Sequence, residues 1–124
     1  MSKALVVDDS KTIRIIIRRI LLELGFEVLE AGNGVQALEI LAPVKSAVKL
    51  VLADWNMPEM NGFELLQRLR QDPELASLKI IMVTTETELS QMSSALEAGA
   101  NEYVMKPFTK DILKEKLALI GVSA

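Results

Sequence analysis

Cysteine and histidine are both missing from these 124 residues. Without cysteine there is no disulfide, no thiolate nucleophile and no cysteine-held metal. Without histidine, serine-hydrolase triads, histidine-ligated zinc and phosphorylation of a histidine in this chain are excluded. A membrane-length apolar run is missing too: the stretch Ile13 to Leu24 is interrupted by Arg14, Arg18 and Arg19. The start, MSKALVVDD, reaches charged residues before a signal-peptide core could form, so a cytoplasmic protein with no membrane association is expected. Nor is there an excess of basic charge. A net charge of -3 and a sequence pI near 5.0 argue against a nucleic-acid partner. Chemistry is left to carboxylates, hydroxyls and lysines, with a hard metal ion to assist them.

What is present reads as one domain over residues 1–124, with half its residues hydrophobic and a quarter charged. Strand-like and helix-like segments alternate. ALVVD (4–8) is a short buried strand. Ile13, Ile16, Ile17, Ile20, Leu21 and Leu24 then fall on one helical face, with Ser10 as cap and Gly25 as stop. EVLEA (27–31) is a more polar strand, and Gly32-Asn33-Gly34 turns into a helix running to about Pro43. LVLAD (50–54) is the third strand, followed by a stripe of Gly62, Leu65, Leu66 and Leu69. KIIMVT (79–84) is the fourth, followed by Leu89, Met92 and Leu96 up to Gly99. EYVMK (102–106) is the fifth, and Leu113, Leu117 and Ile120 carry the last helix. No repeat, linker or low-complexity segment interrupts the pattern, and no output domain is expected.

Such βα units predict an α/β fold, a doubly wound five-stranded parallel sheet with helices on both faces. The more polar second and fifth strands suit the edges. A flavodoxin-like (βα)5 order of 2-1-3-4-5 satisfies that, although composition alone does not single it out. Ligands of such sheets bind beyond the carboxyl ends of the strands, where the winding reverses, here between strands one and three.

Asp8 and Asp9 end strand one and Asp54 ends strand three, so three carboxylates gather at that crevice. Like charges about 4 Å apart repel by roughly 4 kcal/mol at an effective dielectric near 20, so either protons are retained or a cation sits among them. An all-oxygen site with positions open to water suits Mg²⁺. Strand four delivers a hydroxyl, Thr84, and strand five an ammonium, Lys106. Together these groups make a receptacle for a transferred phosphoryl group, with Asp54 as the nucleophile. Each has a plainer explanation alone. Asp9 would cap a helix, Thr84 would bond locally, Lys106 would be solvated, and Gly62 is a backbone turn position. Compatible groups arriving from four strands at one edge outweigh those explanations.

VVDDS, LADWNMPEMNG, VTTE and YVMKPF resemble, in order and spacing, the motifs of bacterial response-regulator receiver domains, most of all the single-domain chemotaxis regulators. The likeness spans the whole chain. It implies that Asp54 accepts a phosphoryl group from a sensor histidine kinase. It implies Mg²⁺ held by Asp9, Asp54 and the backbone carbonyl of Asn56, with Asp8 reaching it through water. Thr84 and Lys106 would then contact the phosphoryl oxygens, the Lys106-Pro107 bond would be cis, and Tyr103 would swing inward as Thr84 moves. For Tyr103 the residues themselves favour simple packing on the last helix. Thr85 stands where the family usually has a small residue, and with Asn56 and Glu86 it would tune the rates.

The implied function is a monomeric, phosphorylation-controlled switch, a regulator rather than an enzyme. It would act through the surface of helix four, strand five and helix five, by resemblance on a flagellar motor switch protein. A phosphorelay intermediate or a phosphate sink stays open. A Mg²⁺-dependent phosphatase with an aspartyl-phosphate intermediate is disfavoured, because Asn56 occupies the position of a second acid and cannot transfer a proton. A flavin domain of the same topology is disfavoured because VVDDSKT sets two carboxylates where a phosphate cradle would be needed.

Overall fold

A computed structural model describes residues 2–124, the side chain of Glu86 excepted. The elements follow one another as β1 (Lys3–Val7), α1 (Lys11–Glu23), β2 (Glu27–Ala31), α2 (Gly34–Leu41), β3 (Val48–Asp54), α3 (Gly62–Arg70), β4 (Lys79–Thr84), α4 (Met92–Glu97), β5 (Glu102–Met105) and α5 (Lys110–Leu119). All strand pairs are parallel, and the order is β2-β1-β3-β4-β5. This is the doubly wound, flavodoxin-like sheet that the alternation predicts.

Alternation along each strand divides the core in two. Leu5, Val7, Val51 and Ala53 point to the face covered by α2, α3 and α4, where they meet Leu41, Leu65 and Leu69. Ala4, Val6, Leu50 and Leu52 point to the other face and meet Ile17 and Leu21 of α1 and Leu113 and Leu117 of α5. Sides buried on both faces explain why β1, β3 and β4 read as continuous apolar runs. The edge strands β2 and β5 keep several half-buried or exposed positions.

Local signals account for most helix ends. Ser10 Oγ accepts from the Ile13 amide at 3.3 Å, and Gly25 takes a φ of 98°, open to glycine at little cost. Asn61 and Glu64 form a reciprocal capping box at the start of α3. Gly62 serves a different purpose from the turn expected of it. It is the first residue of α3, and a Cβ there would run into the backbone oxygen of Asp54. Close approach, rather than an unusual φ, requires glycine.

Two helical stripes differ from expectation. On α1, Ile17 and Leu21 are buried, whereas Ile16 is 49% exposed. After β4, residues Glu86–Gln91 form a 3₁₀ turn, and α4 begins only at Met92. The side chains that α4 buries are Met92 and Ala95, while Leu89 and Leu96 face outward. A 3₁₀ turn advances by three residues rather than 3.6, so the predicted phase is lost before the α-helix starts.

Candidate functional site

Strand register builds the site. Val7 pairs with Ala53, so Asp8 and Asp54 leave the sheet side by side. Asp54 pairs in turn with Val83, and Thr84 with Met105, which puts Thr84 and Lys106 at the same edge. The Lys106 amide donates to the Thr84 carbonyl at 2.7 Å, and the Lys106-Pro107 bond is cis.

Carboxylate oxygens of Asp8, Asp9 and Asp54 lie within 4.8 Å of one another, a group able to hold a metal ion. Asp8 and Asp54 are buried, and Asp9 faces solvent. Asp8 is tied down on several sides. Its Oδ1 accepts from the Ser10 amide at 2.9 Å, and its carbonyl accepts from Arg14 Nη1 at 2.7 Å. Asp9 is not the helix cap that it could have been; Ser10 fills that position.

Lys106 is not a solvated charge. Its Nζ stands 3.0 Å from Asp54 Oδ1 and 3.3 Å from Asp8 Oδ2. Burial works against its cationic form, but the paired Asp54 and Asp8 outweigh burial and raise its pKa. Asp54 moves the other way in charge. Burial pushes its pKa up to about 6, Lys106 opposes the shift, and the neighbouring Asp8 and Asp9 add to it. One ammonium against three carboxylates leaves a deficit of two positive charges, the charge of a divalent cation.

Thr84 is fully buried, and its hydroxyl donates to the Thr85 carbonyl at 3.1 Å, the local bond open to any strand-end threonine. Tyr103 is half-buried on β5, with Lys116 Nζ of α5 at 4.9 Å from its ring centroid. Trp55 follows Asp54 directly and leans on Phe63, ring centroids 5.7 Å apart.

Asn56 and Thr85 meet on a residue that the sequence analysis passed over. Glu88 is buried, and its Oε1 accepts from both the amide and the hydroxyl of Thr85 at 3.1 Å. Its Oε2 accepts from Asn56 Nδ2. The Thr85 hydroxyl also lies 2.9 Å from that of Thr87. A signal was there to be read: Thr85 followed three residues later by Glu88 has capping-box spacing. The side chain of Glu86, the third proposed rate-tuning group, lies outside the described residues.

Known proteins carry the same arrangement of sequence and fold. Residues 4–118 match the family model described as the response regulator receiver domain. The chemotaxis protein CheY1 of Helicobacter pylori is 49% identical over 119 residues, covering 95% of each chain. A chemotaxis protein CheY homolog of Campylobacter jejuni is 50% identical over 116 residues, covering 93% of this chain and 88% of the relative. Among solved structures, the chemotaxis response regulator CheY4 of Vibrio cholerae superposes with a TM-score of 0.87 at 32% identity, covering 97% of this chain and 98% of that one. A response regulator receiver domain from Clostridium thermocellum superposes with a TM-score of 0.89 at 29% identity, covering 98% and 95%. With the family model matched over nearly its whole length, this chain belongs to the response-regulator receiver domains.

Proposed function

We infer that this protein is a phosphorylation-controlled signalling switch in which Asp54 accepts the phosphoryl group. One observation carries the reading: a buried carboxylate beside two other acids, held 3.0 Å from a lysine that arrives from another strand. Such a carboxylate must be ionised to attack phosphorus. A pKa of about 6 leaves it mostly ionised at neutral pH while keeping it basic enough to be an effective nucleophile.

In the transfer, Asp54 attacks the phosphorus of a phosphohistidine. The P–N bond breaks, its electron pair returns to the imidazole, and an acyl phosphate remains. Lys106 stays cationic throughout and pairs with the charge that the incoming group brings. Asp9, Asp54 and the backbone carbonyl of Asn56 would hold Mg²⁺, with Asp8 reaching it through water. The charge of the bound ion would neutralise phosphoryl oxygens and offset the repulsion between an anionic donor and this acidic crevice. Thr84 would turn its hydroxyl from the Thr85 carbonyl to a phosphoryl oxygen. Tyr103, half-buried with Lys116 Nζ over its ring, would then follow.

The output surface is the face of α4, β5 and α5, where Leu96, Met105 and Ile112 are each about two-fifths exposed. The phosphodonor is a sensor histidine kinase. The target is a flagellar motor switch protein, as suits relatives named for chemotaxis. Among the described residues no helix is long and apolar enough to cross a membrane, which agrees with action in the cytoplasm. Turnover as a phosphatase is disfavoured by Asn56 and by Glu88, whose oxygens are already occupied by Asn56 and Thr85.

The test is direct. Incubation with Mg²⁺ and acetyl phosphate should add the mass of one phosphoryl group on Asp54, and Asp54→Asn should abolish the gain. Labelling that persists in Asp54→Asn would refute the assignment.

A further inference from the structure

Four polar or charged residues are buried among the described residues: Asp8, Asp54, Thr84 and Glu88. The phosphoacceptor site uses the first three. Glu88 remains, and a buried carboxylate is costly unless donors surround it. Its two bonds from Thr85 are local and serve the turn that opens after β4. The third bond serves no such purpose. It runs across 32 residues to Asn56, joining the loop after β3 to the loop after β4.

That bond settles which way Asn56 faces. A carboxylate with its oxygens turned to donors can only accept, so the nitrogen of the Asn56 amide must point at Glu88. The amide oxygen is therefore turned away from Glu88. Asn56 itself is exposed, two residues beyond Asp54, at the rim of the phosphoacceptor site. An amide fixed in this sense commits one of its two N–H donors to Glu88 and leaves its oxygen as an acceptor at the rim.

We propose that Glu88 is a positioning residue that holds Asn56 as a hydrogen-bond acceptor beside Asp54 and so sets the lifetime of the phosphoryl group. The inference rests on Asp54 being the phosphoacceptor. In hydrolysis, water adds to phosphorus and the Asp54 Oδ–P bond breaks, its electron pair returning to the carboxylate. The proton of the water leaves with inorganic phosphate. An acceptor at the rim orients that water through its hydrogen. A donor there would hold the phosphoryl oxygens instead and hinder attack.

Glu88→Gln exchanges the two cases. If its amide oxygen keeps the Thr85 N–H, its nitrogen meets Asn56, which must turn its own oxygen inward and present its NH₂ group to the rim. Dephosphorylation after acetyl phosphate labelling should then slow by roughly three- to ten-fold, the worth of one hydrogen bond. In an Asn56→Ala background Glu88→Gln should change nothing further, which a merely structural role would not produce. An equal factor in both backgrounds, or no change in either, overturns the proposal. Should Glu88→Gln fail to fold, the wild-type Asn56 side-chain amide decides by NMR: resonances protected from exchange support it, and a freely exchanging amide overturns it. A wild-type chain that takes no label on Asp54 removes the phosphoacceptor reading itself, before any variant is compared.

Discussion

At the amino end of the sheet Lys3 meets Glu27 at 2.8 Å and Lys45 meets Asp72 at 2.6 Å, with each of these side chains at least a quarter exposed. At the carboxyl end Lys106 meets Asp54 and Asp8 at similar distances, but both acids are buried. The ion pairs look alike and differ in energy. Water screens the first kind, so its members can part at small cost. At the second, burial raises the energy of the charges, and partners are needed to hold them ionised. The carboxyl end is thus less stable than an apolar packing of the same volume would be. Its excess negative charge is what a divalent cation can relieve, and a phosphoryl group, itself anionic, can enter only once that charge is offset.

The largest break in this contrast comes from Asp54→Asn. Beyond abolishing phosphate uptake, it should raise stability at pH 7 in the presence of a chelator. Burial holds the folded-state pKa of Asp54 near 6, above its ordinary 3.8. Below pH 3.8 the carboxyl is protonated whether folded or not, and its contribution to stability is fully present. As pH rises through about 6 the folded state must release the proton that it held more tightly, and that contribution is lost. Removing the titration should therefore stabilise the neutral-pH protein by on the order of 1–3 kcal/mol, less whatever Lys106 loses with its partner. Urea denaturation from pH 4 to pH 7 checks it. Wild type should weaken across that interval relative to Asp54→Asn, and parallel curves would show that Asp54 is not strained by burial.

Next in size is Lys106→Ala. With Asp8 and Asp54 left facing each other, metal-free stability should fall by about 1–2 kcal/mol. Saturation with Mg²⁺ at about ten times its dissociation constant should return roughly 1.4 kcal/mol to any variant whose acids are intact. The variant should still bind metal, reported by Trp55, yet fail to convert phosphorylation into partner binding. Full retention of phosphate-dependent binding would remove Lys106 from the switch.

How much of this was legible in the sequence follows from how each residue is held. The three acids, Thr84 and Lys106 could be placed because strands have a simple period and end abruptly. Once the apolar runs are aligned, their terminal polar residues must lie together. The segment after β4 could not be read in that way. Leu89 and Leu96 suggested a buried stripe, but the 3₁₀ turn at Glu86–Gln91 changes the phase and α4 rests on Met92 and the small Ala95. Glu88 was missed because a charged residue in a polar segment looks solvated. Only the fold reveals that donors from two loops enclose it.

That finding changes the expectation for Thr85→Ala, the third test. On steric grounds alone, losing a methyl and a hydroxyl at the rim should speed phosphorylation by small donors a few-fold, equivalent to roughly 1 kcal/mol or less of barrier. The hydroxyl is in fact turned to Glu88 and Thr87. Its removal should also cost about 0.5–1 kcal/mol of stability, since Glu88 loses one donor. Stopped-flow Trp55 fluorescence against acetyl phosphate concentration, with a denaturation curve for each protein, separates the two effects. Equal rates with reduced stability would assign Thr85 to the hydrogen bonds that hold Glu88 and not to the approach path.

The smallest effect belongs to the amino end and serves as the control for all the others. Hydrogen bonding to Lys3 lowers the pKa of Glu27, and hydrogen bonding to Lys45 lowers that of Asp72. By linkage such pairs stabilise above the ordinary carboxylate range and lose that contribution as pH falls. Both pairs lie where water and salt reach them, so little of the attraction survives as stability. Lys3→Ala and Lys45→Ala should therefore leave the denaturation midpoint unchanged at physiological salt, with any difference at low salt vanishing as salt is added. Phosphorylation rate and Mg²⁺ titration should match wild type. A salt-insensitive loss of stability in either variant would mean that the amino end also holds its charges out of reach of water, and the contrast between the two ends would fail.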